Sequence, residues 1–193
     1  MFGVFGKGEV YERTVQTLAN DSDPVRRAYA ASALGEFLAL PGITACATAI
    51  ERDADPTVRA AAATALGRLN DHGNGALSKA MADADPRVKI AAVKSASRIN
   101  QFSDIASVTK LTTDGDVNVR RGAAELLGSL HAAEGVDGLI ALAKDPDANV
   151  RNAACHSLGK LHDVRARAVL EDVSKNDVNG LVRDQATIAL RRL

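Results

Sequence analysis

The apolar positions of residues 58–69 fall at Val58, Ala62, Ala65, Leu66 and Leu69, a three-and-four spacing that predicts a helix with one buried stripe. The same stripe returns down the chain. With Asp55 as slot zero, the slot falls on Asp23, Asp55, Asp85, Asp116, Asp147 and Asn179, at intervals of 32, 30, 31, 31 and 32 residues. Two residues earlier stands Asp21, Asp53, Asp83, Asp114, Asp145 or Asp177. Slot four is basic throughout: Arg27, Arg59, Lys89, Arg120, Arg151 and Arg183. Slot seven is always Ala, and slot eleven is Leu except at Ala96. A shorter apolar stripe precedes each of these, as in Ile43, Ala47 and Ile50, or Ile105, Val108 and Leu111. Polar or Gly-containing stretches such as "NDHGNG" separate the two. Each period therefore predicts a helix pair, at about residues 8–40, 41–70, 71–100, 101–131, 132–162 and 163–193 of a single array over 1–193.

Slot zero is where the second helix of each pair should begin. Asp there is a favoured N-cap, and Pro24, Pro56 and Pro86 follow at the first helical position, where a missing N–H costs nothing. One helix pair cannot bury its stripe alone, so the fold class is all-α, with neighbours stacked around a continuous core. A core with 3% aromatics and no Trp must be built from Ala, Leu and Val, which suits closely packed helices.

The pattern DxDPxVRxxAxxALGxL, as in "DADPTVRAAAATALGRL" at 53–69, resembles HEAT repeats, specifically the short phycobilin (PBS) lyase HEAT-like type. The resemblance spans roughly residues 9–193 and implies a right-handed α-solenoid of six HEAT-like helix pairs. It also implies that the second helices line a concave groove, and that the Asp and the Arg six residues on, here Asp53 and Arg59, form a ladder linking successive repeats. The residues agree with a structural role. Slots four, seven, eleven and fourteen share one helical face, so the Arg lies beside buried Ala and Leu and needs a carboxylate. A catalytic constellation would occur once; this one occurs six times.

The formal charge is zero. Eleven of the 24 acidic and six of the 24 basic residues occupy the repeated columns, leaving 13 acidic against 18 basic. The outward slots of the second helices, two, five, nine and thirteen, hold Arg68, Arg87, Lys94, Arg98, Arg121, Lys160 and Arg192 against Glu36, Glu125 and Asp184. The third copy supplies Arg87, Ile90, Lys94 and Arg98 with no acid among those slots, and it departs from the template at Lys89, Ala96 and Ser97. The candidate partner-binding residues are Arg68, Arg87, Lys94, Arg98, Arg121 and Lys160. The function expected is a non-enzymatic scaffold or adaptor that binds a protein partner, acidic in character, on that face. An ordinary solvated face, a tetrapyrrole-handling lyase-like subunit with arginines on propionates, and nucleic-acid binding stay open beside it.

No catalytic residue, metal or cofactor is expected. Cys46 and Cys155 have neither metal spacing nor a disulfide framework and fit a reducing compartment, and Cys155 and His156 point in different directions on one helix. His72 and His131 fall in turns, His156 in the groove column and His162 in a loop. The di-iron hydroxylase known on this scaffold uses repeated His-Glu dipeptides, and this sequence has none. Base-flipping glycosylases on such arrays read bases with aromatic rings, but Phe2, Phe5, Tyr11, Tyr29 and Phe37 all lie within the first 37 residues. The first copy is atypical, with Arg26 in the Val slot, and these aromatics are expected to close that end; "MFGVFG" is expected to fold over the first helix, with an exposed apolar hook as the alternative. The opening stretch is too short for a signal peptide and no run reaches the ~20 apolar residues of a membrane span, so a cytoplasmic location is expected. Leu193 fills a core slot of the sixth copy, which reads as one array without a separate catalytic domain.

Overall fold

The computed structural model describes residues 7–37, 41–69, 75–99 and 102–193. It divides into two compact units, 1–101 and 102–193. The first holds α1 (Lys7–Asn20), α2 (Pro24–Phe37), α3 (Pro41–Arg52), α4 (Pro56–Leu69), α5 (Gly75–Met81) and α6 (Pro86–Ala96). The second holds α7 (Ile105–Lys110), α8 (Val117–Ser129), α9 (Val136–Leu142), α10 (Ala148–Leu161), α11 (Arg167–Asn176) and α12 (Gly180–Leu190), with short 3-10 turns at 111–113, 133–135 and 164–166. No strand occurs among the described residues. In the first unit α2, α4 and α6 pack side by side, each against the helix that precedes it. In the second unit α8, α10 and α12 repeat that arrangement.

All six second helices start one residue after slot zero, where the N-cap chemistry places them. Asp23, Asp55, Asp85, Asp116, Asp147 and Asn179 each accept a hydrogen bond from the backbone N–H two residues on. Behind the later caps the stripe is fully buried, at Val58, Val88, Val119 and Val150 in slot three and at Ala62, Ala92, Ala123, Ala154 and Ala186 in slot seven.

A second column sets how closely these helices approach. A Cβ built on Gly67 would lie 2.6 Å from the Ser95 Cβ, and one on Gly128 would lie 2.4 Å from the Ser157 Oγ. Gly35 and Gly159 stand in the same relation to Ala65 and Ala189, at 2.8 and 2.9 Å from their Cα atoms. The Gly of "ALG" is thus needed for backbone approach, since these helices descend through allowed dihedrals and no described glycine has a positive φ. Just past the ends of α8 and α10 stand His131 and His162, both in the left-handed region at φ 50° and 53°. The His162 Nδ1 lies 2.6 Å from the Arg192 carbonyl oxygen.

The expected aromatic closure of the first copy is corrected at Tyr29, whose side chain is 73% exposed. Slot six is Ala or Gly in the four copies that follow, so Tyr29 is the one large side chain in that slot of the first five copies. Tyr11 is half-buried, with its hydroxyl buried and unpaired among the described residues. Phe2, Phe5, "MFGVFG" and His72 lie outside the described residues, as does the side chain of Phe37.

Candidate partner-binding surface

The repeated arginines are spent on the frame, but not with the partner the ladder reading gives them. Arg59 donates through Nε and Nη2 to the two carboxylate oxygens of Asp83, at 2.6 and 3.0 Å. Its Nη1 donates to the backbone carbonyl of Asp53 at 2.9 Å. The Asp53 carboxylate takes the corresponding fork from Arg27, at 2.7 and 2.9 Å. Asp53 and Arg59 are therefore joined through a carbonyl, and the carboxylate rung runs from one copy's Arg to the next copy's Asp. The physical reason is the shape of guanidinium: one edge docks on its own loop and leaves the other edge for a bidentate acid beyond it. Arg120 with Asp145, and Arg151 with Asp177, repeat the geometry in the second unit.

These side chains are enclosed, the arginines 11–17% exposed and the aspartates 5–9%. Burial pushes the carboxyl groups of Asp53, Asp83 and Asp145 upward. The hydrogen bonds from Arg and from a backbone N–H together outweigh it and hold them below the ordinary range. At Asp177 the fork from Arg151 is the dominant cause of the same lowering.

The candidate cations lie on the opposite, outward side of the same helices. In the first unit Arg68 ends α4, Arg87 and Lys94 lie on α6, and Arg98 follows α6 in its closing turn; all four are exposed. In the second unit Arg121 on α8 is exposed and Lys160 on α10 is half-buried. Three of the six already have acids. Arg68 contacts Glu36 at 3.2 Å, and Arg121 reaches Glu125 at 3.8 Å. Arg87 closes a fork on Asp85, at 3.0 and 2.7 Å. The third copy thus does carry an acid for its outward face, because its capping Asp turns toward the neighbouring Arg87. That fork, ahead of all other causes, lowers the Asp85 carboxyl to about 2. Lys94, Arg98 and Lys160 make no ion pair among the described residues.

Residue patterning by charge passed over the apolar members of this face. Val25 is 58% exposed on α2, and Leu181 and Ile188 are 74% and 44% exposed on α12. They occupy slots two and nine, the columns already picked out for cations. An apolar residue in an outward slot was the available signal. In the second unit Asn152 donates to the Leu181 carbonyl, and Gln185 Nε2 meets His156 Nδ1 at 3.3 Å. Burial, then the nearby Lys160 and Arg192, lower the His156 pKa. Cys46 and Cys155 are fully buried, and burial pushes both thiols up to about 12. At such a pKa neither is a nucleophile at neutral pH. Among the described residues no three His, Cys, Asp or Glu side chains come together as a metal site. No described helix is long and apolar enough to cross a membrane.

Comparison with known proteins adds the lineage of this scaffold. The family model for HEAT repeats matches residues 11–75, 43–124 and 105–191. No curated protein matches. Among solved structures, an engineered protein is 20% identical with a TM-score of 0.68, covering 95% of this chain and 96% of that one. The complex of CpcE and CpcF of phycocyanin lyase from Nostoc sp. PCC7120 is 22% identical with a TM-score of 0.67, covering 96% and 76%. Computationally designed armadillo repeat proteins for modular peptide recognition are 17% identical with a TM-score of 0.69, covering 94% and 98%. The fold is an all-α repeat solenoid.

Proposed function

This chain belongs to the HEAT-repeat family, and from that premise we propose that it is a non-enzymatic binding protein that docks an acidic segment of a protein partner on the outward side of its second helices. The observation that carries this reading is the pair Lys94 and Arg98. They lie one helical turn apart, exposed and without an acid among the described residues, whereas Arg68 and Arg87 in the same unit already have acids. Arg68 and Arg87 flank them in the first unit, and Arg121 and Lys160 offer a second cationic stretch in the other unit. Buried rungs tie neighbouring second helices together, so these cations project from a backbone that association does not have to order. The neighbours lend support at the level of fold alone: one is a complex of two proteins, and another group was designed for peptide recognition.

The test is binding of a labelled glutamate-rich peptide, followed by fluorescence anisotropy, to the wild-type chain and to the Lys94→Glu/Arg98→Glu variant. The reading expects binding that the double variant loses by tenfold or more while its melting curve stays unchanged. Equal binding by a folded double variant overturns it. Tighter binding of double-stranded DNA than of the peptide, with a steep dependence on salt, would transfer the same residues to nucleic-acid recognition.

A further inference from the structure

The ladder has an open donor at one place and an under-occupied acceptor at another. In the sixth copy, Arg183 is held as its counterparts are, its Nη1 donating to the Asp177 carbonyl at 2.6 Å. In Arg27, Arg59, Arg120 and Arg151 that same anchoring leaves Nε and Nη2 aimed at a carboxylate. At Arg183 these two groups have no hydrogen-bond partner among the described residues. The half-buried guanidinium is a preformed fork without its acid.

Asp21, in the first copy, is the matching half. Its Oδ1 accepts from the Asp23 N–H at 2.9 Å, as Asp53, Asp83, Asp145 and Asp177 accept in their own turns at 2.8–2.9 Å. No fork reaches it. Arg26, which replaces the Val of slot three, touches Oδ2 with one nitrogen at 3.5 Å from a side chain that is 68% exposed. A single long contact of that kind is worth little and is readily displaced. Asp21 is accordingly 20% exposed where the rung aspartates are 5–9%. Exposed apolar residues flank both halves along the chain: Val178 at 92% and Leu181 at 74% exposure around Arg183, and Val25 at 58% after Asp21.

We propose that Arg183 of one molecule takes the Asp21 carboxylate of a second copy of this chain, adding an intermolecular rung to the ladder. The occupant is a second copy because the same chain supplies both the open fork and an aspartate already held in the rung conformation. The contact is heterologous, so each molecule keeps one free half and association continues until it closes on itself or is capped. It uses none of the six cations of the proposed docking face.

Sedimentation velocity over a concentration series, at low and at high salt, tests this. The wild-type chain is expected to exceed its single-chain mass of 20.2 kDa as concentration rises, and less so at high salt. Asp21→Asn and Arg183→Gln should each stay at single-chain mass. Asn at position 21 keeps the oxygen that accepts the Asp23 N–H, and melting curves verify that both variants fold. An equimolar mixture of the two should give a two-chain species and nothing larger, since one retains Arg183 and the other Asp21. Arg26→Ala, which clears the competing contact, should strengthen association. A wild-type chain that stays at single-chain mass throughout overturns the proposal, and so does association that survives in either single variant.

Discussion

Arg120 and Arg121 are consecutive residues of α8 and meet opposite surroundings. Arg120 is 15% exposed and makes four hydrogen bonds, two to the Asp145 carboxylate and two to the carbonyls of Asp114 and Gly115. Arg121 is 46% exposed and reaches Glu125 across 3.8 Å. About 100° of helical rotation separates the two, enough to turn one guanidinium into frame and leave the other for solvent or a partner. The same division runs through Arg26 and Arg27, at 68% and 15% exposure. A basic residue in this fold therefore means nothing until its slot is known.

Single substitutions give the largest expected contrast. Arg120→Ala strips Asp145 of its fork and should lower stability by about 2 kcal/mol, because it leaves a nearly buried carboxylate without its counter-charge. Arg121→Ala should change stability by less than about 0.5 kcal/mol, as surface substitutions do. Thermal melts of the two variants check this. An unmoved midpoint for Arg120→Ala, or equal falls for both, would break the division between frame and outward face.

Glycines sharpen the comparison one step down in size. Gly128 and Gly115 both belong to the second unit, and neither has a positive φ. A Cβ on Gly128 would meet Ser157 Oγ, Cβ and Cα at 2.4, 2.6 and 2.9 Å, whereas one on Gly115 meets nothing within 4 Å. Gly128→Ala should cost about 1–3 kcal/mol through forced separation of α8 from α10. Gly115→Ala should be neutral, or stabilising by up to about 1 kcal/mol through the unfolded chain. Urea unfolding of both variants decides it, and comparable losses would mean that the helix contact is not what fixes Gly128.

Repetition made most of the fold legible. Six aligned copies exposed caps, buried stripe and basic column, because each copy must solve the same packing problem with the same slots. Periodicity could say that Arg59 needs an acid, but every copy offers an identical Asp. Choosing Asp83 over Asp53 required knowing which edge of the guanidinium faces its own loop. The outward face was half legible. Glu36 and Arg68 share slot thirteen in adjacent copies, so their 3.2 Å contact follows from the alignment once neighbouring columns are compared. The Arg87–Asp85 fork does not follow from it, since the same Asp side chain also serves as the cap. Leu181 and Ile188 stayed unseen because the outward slots were sorted by charge.

The smallest expected effect separates two serines in one structural position. Ser157 packs against Gly128 and donates its hydroxyl to the Ala124 carbonyl at 2.7 Å, both groups buried. Ser95 packs against Gly67 in the same way, 1% exposed, but its hydroxyl has no partner among the described residues. Alanine keeps the Cβ that fills each contact and removes only the oxygen. Ser157→Ala should therefore lose about 1 kcal/mol, the net worth of one buried hydrogen bond. Ser95→Ala should lose nothing and can gain, because an unpaired hydroxyl carries a desolvation cost that disappears with it. Chemical denaturation of the two variants measures the difference directly. A loss at Ser95 as large as that at Ser157 would mean that its hydroxyl is paired in solution, and that the two units build this contact alike.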